Sequence, residues 1–77
     1  MKNNNRNLVS AKEISKRFGV TYPTLNHYTN LGFFNVVVRR GNKRFYLADE
    51  VKLKLRTILK LKNDGYSLRL IRKKIVG

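Results

Sequence analysis

Cysteine is absent, and only four acids and one histidine are present. The missing thiols exclude disulfide staples and thiolate metal sites. The lone His27 has no partner ligands, so no metal is expected on this chain. Four acids and one imidazole offer no base–nucleophile constellation, so neither an enzyme nor a cofactor is expected. The adjacent pair Asp49-Glu50 points in directions about 100° apart on a helix. It suits the positive end of a helix dipole better than catalysis. No apolar run approaches the length of a membrane span, and no signal-peptide core follows Lys2–Asn7. A soluble cytoplasmic chain is the expectation.

Positive charge is what the sequence has in excess. Eighteen Lys and Arg give a net charge of +14 over 77 residues. Self-repulsion of that size opposes compaction and points to a polyanionic partner. Nucleic acid is the first candidate and an anionic membrane surface the second. A merely solvated basic surface is the plain alternative. The length allows one domain, and a chain this short must bury most of its apolar residues.

Residues 1–7 are polar and without periodicity, which predicts a disordered arm carrying Lys2 and Arg6. Residues 8–77 form the domain. Ser10 with Glu13 makes a capping box, and Val9 with Ile14 a hydrophobic staple. Ala11, Ile14 and Phe18 then mark one apolar stripe of a helix that Gly19 stops. Thr21 caps a second helix, with Val20 and Leu25 in the staple positions. Leu25, Tyr28 and Leu31 face inward. Tyr22, Thr24, Asn26, His27 and Thr29 are left on or near the outer face. Gly32 ends the helix. Two short helices joined by a tight turn form a helix-turn-helix, whose second helix enters the major groove in DNA-binding versions. Many small helical domains contain such a corner and bind no nucleic acid.

The next stretch changes character. FFNVVV and KRFY read as two strands, and Arg40-Gly41-Asn42 as the turn between them. Such a hairpin, directly after a helix-turn-helix, is a wing. Its tip is basic, with Arg39, Arg40, Lys43 and Arg44, and phosphate contact is the preferred reading over solubility alone. Asp49-Glu50 open a long helix over about 49–63, with Val51, Leu55, Ile58 and Leu59 inward. Leu53 and Leu61 lie off that stripe. Asp64-Gly65 end it. Ser67 caps a last short helix, with Tyr66 and Ile71 as its staple and Leu68, Ile71 and Ile75 as its stripe. Arg69, Arg72, Lys73 and Lys74 cover the rest. A short basic amphipathic helix can lie on a membrane, but so narrow a stripe suits packing on the preceding helix. The expected fold is mainly α with a small β-hairpin, a winged helix-turn-helix with four helices.

This order of elements resembles the DNA-binding domain of the MerR family of bacterial transcription regulators. The residues that carry the likeness are SAKEISKRFGV, then Val20-Thr21, Tyr28, and LGFF. Arg44-Phe45-Tyr46 is similar to the Arg-x-Tyr of the family's wing. ILKLKNDGYSLRLIRKKI is similar to its closing pair of helices. The likeness spans about residues 8–76. Pro23 stands one position later than the family's Ser-Pro, Asn26 replaces a frequent Arg, His27 replaces a Tyr, and Leu47 replaces a capping Ser or Thr. A different base preference follows.

The expected function is sequence-specific binding of double-stranded DNA by a transcriptional regulator. Tyr22, Thr24, Asn26 and His27 would reach base edges. Asn26 is the best single candidate for bidentate adenine readout, with phosphate contact equally good chemistry. Thr21 and Tyr28 complete the set on that helix. Arg39, Arg40, Lys43, Arg44 and Tyr46 would flank it, and Lys12, Lys16 and Arg17 are phosphate candidates on the first helix. Two other readings stay open. One is an excisionase-like or architectural DNA-binding factor. The other is a small basic RNA-binding protein, disfavoured because Phe33, Phe34 and Phe45 are expected in the core and not on an exposed sheet. Family members continue into a dimerising coiled coil and often an effector domain, and this chain ends at Gly77. A cut chain, a natural monomer and self-pairing compete as explanations. No small-molecule effector is expected. Leu53, Leu61 and Leu70 are too small a patch for a standard interface, so a monomer in solution is expected, able to gather in tandem copies on DNA.

Overall fold

Three side-chain caps set where helices begin in the computed structural model, which describes residues 7–77. The Ser10 hydroxyl accepts from the Glu13 amide at 3.2 Å and starts α1, Ala11–Phe18. The Thr21 hydroxyl accepts from the Thr24 amide at 3.3 Å and starts α2, Tyr22–Asn30, with Pro23 in its first turn. The Ser67 hydroxyl accepts from the Leu70 amide at 3.3 Å and starts the last helix, Leu68–Ile75. Each cap satisfies an amide that has no partner inside its helix. The long helix, Ala48–Asn63, has Leu47 at its cap position and no side-chain bond there. Its first turn holds Asp49 and Glu50 instead. The arm expected at the N-terminus falls outside the described residues except for Asn7. The carbonyl of Asn7 is tied down by the Ala48 amide at 2.9 Å.

The sheet is larger than the expected hairpin. Leu8–Ser10 is a strand, β1, and it pairs antiparallel with β3, Lys43–Leu47. The hairpin partner β2 is Val38–Arg40, and the strand order is β1-β3-β2. Arg40 pairs with Lys43, so Gly41 and Asn42 form a two-residue loop. Gly41 has φ +59° and no non-glycine residue among those described has positive φ. Glycine with positive φ at the first loop position is the type II′ hairpin pattern.

Phe33 to Val37 is not strand, which corrects the reading of FFNVVV. Phe33 and Phe34 are core plugs. The Phe33 amide bonds the Tyr28 carbonyl and the Gly32 amide the Thr29 carbonyl, both at 3.0 Å, a Schellman end for α2. That turn brings Phe33 back on Tyr28, ring centroids 5.6 Å apart and edge to face. Gly32 carries φ +89°, and a Cβ there would find ordinary room beside Val76. The backbone conformation therefore selects glycine at this position. The same end closes the long helix, where the Tyr66 amide bonds Leu61 and the Gly65 amide bonds Lys62, again at 3.0 Å.

With these elements placed, the long helix is α3 and the last is α4. The core joins Ile14, Leu25, Tyr28, Phe33, Phe34, Tyr46, Val51, Ile58 and Ile71. Two leucines of α3 exchange the places expected of them. Leu59 is exposed, and Leu61 packs against the core. The buried stripe steps from Ile58 by three residues to Leu61, so Leu59 is swung to the side. Ile71 is the fully buried residue of α4, and Leu68 and Ile75 pack beside it. A buried isoleucine of this kind is worth about 2–5 kcal/mol against alanine.

Alternation along β3 divides its side chains between two faces. Tyr46 faces the core, with Val9 opposite it. Phe45 faces the other way, between Ser10 and Val38, and is only half-buried. This corrects its expected place in the core.

Candidate nucleic-acid interface

The second helix and the wing meet through one polar contact. An Nη of Arg44 donates to Oδ1 of Asn26, one turn into α2. Arg44 shares the inner face of β3 with Tyr46, and its guanidinium carbon lies 6.0 Å from that ring's centroid. Below it the Tyr46 hydroxyl meets Thr29 Oγ1 at 3.0 Å. The Thr29 hydroxyl spends its one hydrogen on the Leu25 carbonyl at 2.8 Å, so the phenol is the donor to Thr29. Two side chains of one strand thus fix the angle between wing and helix.

The contact opens two shallow clefts. One is lined by Asn26, Asn30, Arg39, Gly41, Asn42 and Arg44. Arg39 stands directly opposite Arg44 in the strand register. Like charges placed so oppose each other unless an anion or strong acceptor lies between. The other cleft is lined by Ser10, Ala11, Lys12, Tyr22, Asn42, Lys43 and Arg44. It brings the start of α1 to the wing.

The acids are elsewhere. Glu13 sits in the first turn of α1, and Asp49 in that of α3. Glu50 accepts from the Asn35 side chain at 3.1 Å and from its backbone amide at 3.3 Å. Asp64 pairs with Lys60 at 3.6 Å. None lines either cleft, so the face shared by α2 and the wing is positive without local compensation.

The expected site residues divide on this geometry. Tyr22, Asn26 and His27 are exposed on α2, with Arg39, Arg40 and Lys43 exposed on the wing and Arg44 half-buried between. Lys12 joins the second cleft, while Lys16 and Arg17 are exposed in the last turn of α1 and line neither cleft. Tyr28 and Tyr46 are 7% and 0% exposed, so both rings belong to the core beneath that face. Thr24 is half-buried toward α3, beside Leu55 and Leu59, and its hydroxyl accepts from Thr21 at 3.0 Å. The two threonines therefore satisfy each other at the cap. Adenine readout by Asn26 would use its Oδ1, the atom that accepts from Arg44 here.

Asn30 and Asn42 are additions. Asn30 lies four residues after Asn26, a spacing that shares a helix face, so the sequence held the signal. Asn42 was visible only as a turn residue, and its place between the clefts depends on the hairpin register.

The family described as MerR HTH family regulatory protein matches residues 9–75. No curated protein matches the chain, and no solved structure does.

Proposed function

Because the chain belongs to the MerR helix-turn-helix family of DNA-binding regulatory proteins, we propose that it binds double-stranded DNA sequence-specifically and regulates transcription. The bond from Arg44 to Asn26 carries this reading. It holds the basic hairpin beside α2, so one face offers exposed polar side chains flanked by cations. A helix fits the major groove of B-DNA, and there Tyr22, His27 and Asn30 would meet base edges, with Asn26 holding Arg44 beside them. Arg39, Arg40, Lys43 and Lys12 would meet phosphates on either side, with Lys16 and Arg17 extending that contact along α1. Phosphate contacts fix register and orientation, and base contacts choose the sequence.

One observation supports a second reading. Phe45 lies half-exposed on the outer face of the sheet near Leu8, Val38 and Arg40. RNA-binding sheets stack bases on such rings, usually on two or three of them. A single ring makes RNA the weaker reading. Selection of bound sites from random duplex DNA tests the proposal, joined with competition between duplex, single strands and folded RNA at fixed salt. A defined motif with duplex winning the competition supports it. Folded RNA displacing duplex at lower concentration favours the alternative.

The same reading covers assembly. The exposed leucines are Leu8 on the sheet and Leu53, Leu59 and Leu70 on the last two helices, with Leu61 drawn into the core. They are too few for a standard interface. Copies each carrying +14 repel in solution. DNA removes that repulsion, so the chain is a monomer when free and gathers in tandem on DNA.

A further inference from the structure

The cleft between α2 and the wing holds a guanidinium restrained on two sides. Arg44 is restrained by Asn26 Oδ1 at one nitrogen, by the Tyr46 ring beside it, and by the paired strand that carries it. It is half-buried, unlike Arg40 and Lys43 at the hairpin tip. Arg39 stands across from it and no carboxylate lines the cleft, so among the described residues Asn26 is the one side chain that accepts a hydrogen bond from it.

A fixed orientation matters for some acceptors and little for others. Phosphate oxygens take a cation from many directions, and the exposed residues of the hairpin tip suit that task. A base edge is planar and sits at one tilt. The arginine fork matches the O6 and N7 acceptors of guanine in pairs, and this is the commonest specific contact in the major groove. A planar fork restrained beforehand also loses less freedom per bond formed.

We propose that the cleft between α2 and the wing is a guanine-reading site. Arg44 donates to O6 and N7 of one guanine, and Asn26 is the positioning residue that aims it, not an adenine reader. The inference rests on the proposed DNA binding.

The test compares motifs selected from random duplex DNA by the full chain and by four variants: Arg44→Met, Arg44→Lys, Asn26→Leu and Asn26→Asp. Aspartate keeps an oxygen where Asn26 Oδ1 lies and removes the amide donors. The wild-type motif should contain one guanine whose preference Arg44→Met lowers by about fivefold or more, the lower end of a lost bidentate contact. Arg44→Lys keeps the charge and loses the fork, so it should weaken the same guanine even if the methionine variant folds poorly. Asn26→Leu should blunt that guanine too. Asn26→Asp should retain it while lowering affinity for every duplex. An adenine preference lost in Asn26→Leu and kept in both Arg44 variants would overturn the inference. So would Arg44 variants that weaken all sequences equally, since that marks a phosphate contact. A wild-type chain that selects no motif overturns the DNA reading itself, whereas a motif indifferent to Arg44 overturns this inference alone.

Discussion

Arg72 Nε donates to the carbonyl oxygen of Leu31 at 2.9 Å, so the last helix holds the end of the second one. Leu31 is the C-cap of α2, where carbonyls lack helical partners and the helix dipole is negative. A guanidinium at that point answers both needs. Arg72→Gln should therefore lower stability by about 1 kcal/mol, the modest end of the range because the bond is solvent-exposed. An unchanged urea midpoint would show that the contact contributes nothing.

Tyr46 and Thr29 allow a second test. Thr29→Val strands a phenol on a residue with no exposed surface, which should cost about 1–3 kcal/mol. Tyr46→Phe leaves the Thr29 hydroxyl bonded to Leu25 and should cost less. The double variant should be less destabilised than the sum of the two. Strict additivity in denaturant melts would mean that the two hydroxyls do not act on each other.

Neither of these two contacts is legible in the sequence, whereas the local ones are, and the reason is their range. Ser10, Thr21 and Ser67 are caps that act on an amide three residues away, so the sequence displays both partners. The helix ends at Gly32 and Gly65 are equally local. What failed was non-local. Strand β1 is three residues long and exists only because Tyr46 and its neighbours pair with it. FFNVVV has strong strand propensity, yet the Schellman turn after α2 folds Phe33 and Phe34 into the core. Phe45 was misplaced because strand parity depends on register, and register is set by a partner strand. At the interface the residue types were legible, but the bond from Arg44 to Asn26 needs the wing's exact swing toward α2. Under the guanine-reading proposal, that bond makes Asn26 a support for Arg44 and not a reader of bases.

The hairpin tip should behave differently from the cleft. Arg40→Ala with Lys43→Ala removes two exposed cations. All duplexes should bind more weakly and by the same factor, because phosphate contacts carry no sequence information directly. Binding curves on the selected motif and on scrambled duplexes measure this. A loss confined to the selected motif would place one of these residues on a base.

Assembly is tested by sedimentation at moderate salt. The free chain should run as a monomer at micromolar concentration, and on DNA the footprint should lengthen in steps as protein is added. A stable dimer without DNA would reveal an interface that Leu53, Leu59 and Leu70 do not by themselves provide.

The salt dependence of duplex binding bears most directly on the claim that the basic face meets DNA. Each phosphate neutralised releases counterions, with a slope of about −0.9 per contact in log affinity against log salt. Five or so contacts from the wing and α1 predict a slope of about −4 to −5. A fluorescence titration of the chain on duplex DNA across a range of salt gives this number. A steep fall with that slope is the predicted result, and a flat response would contradict the nucleic-acid reading.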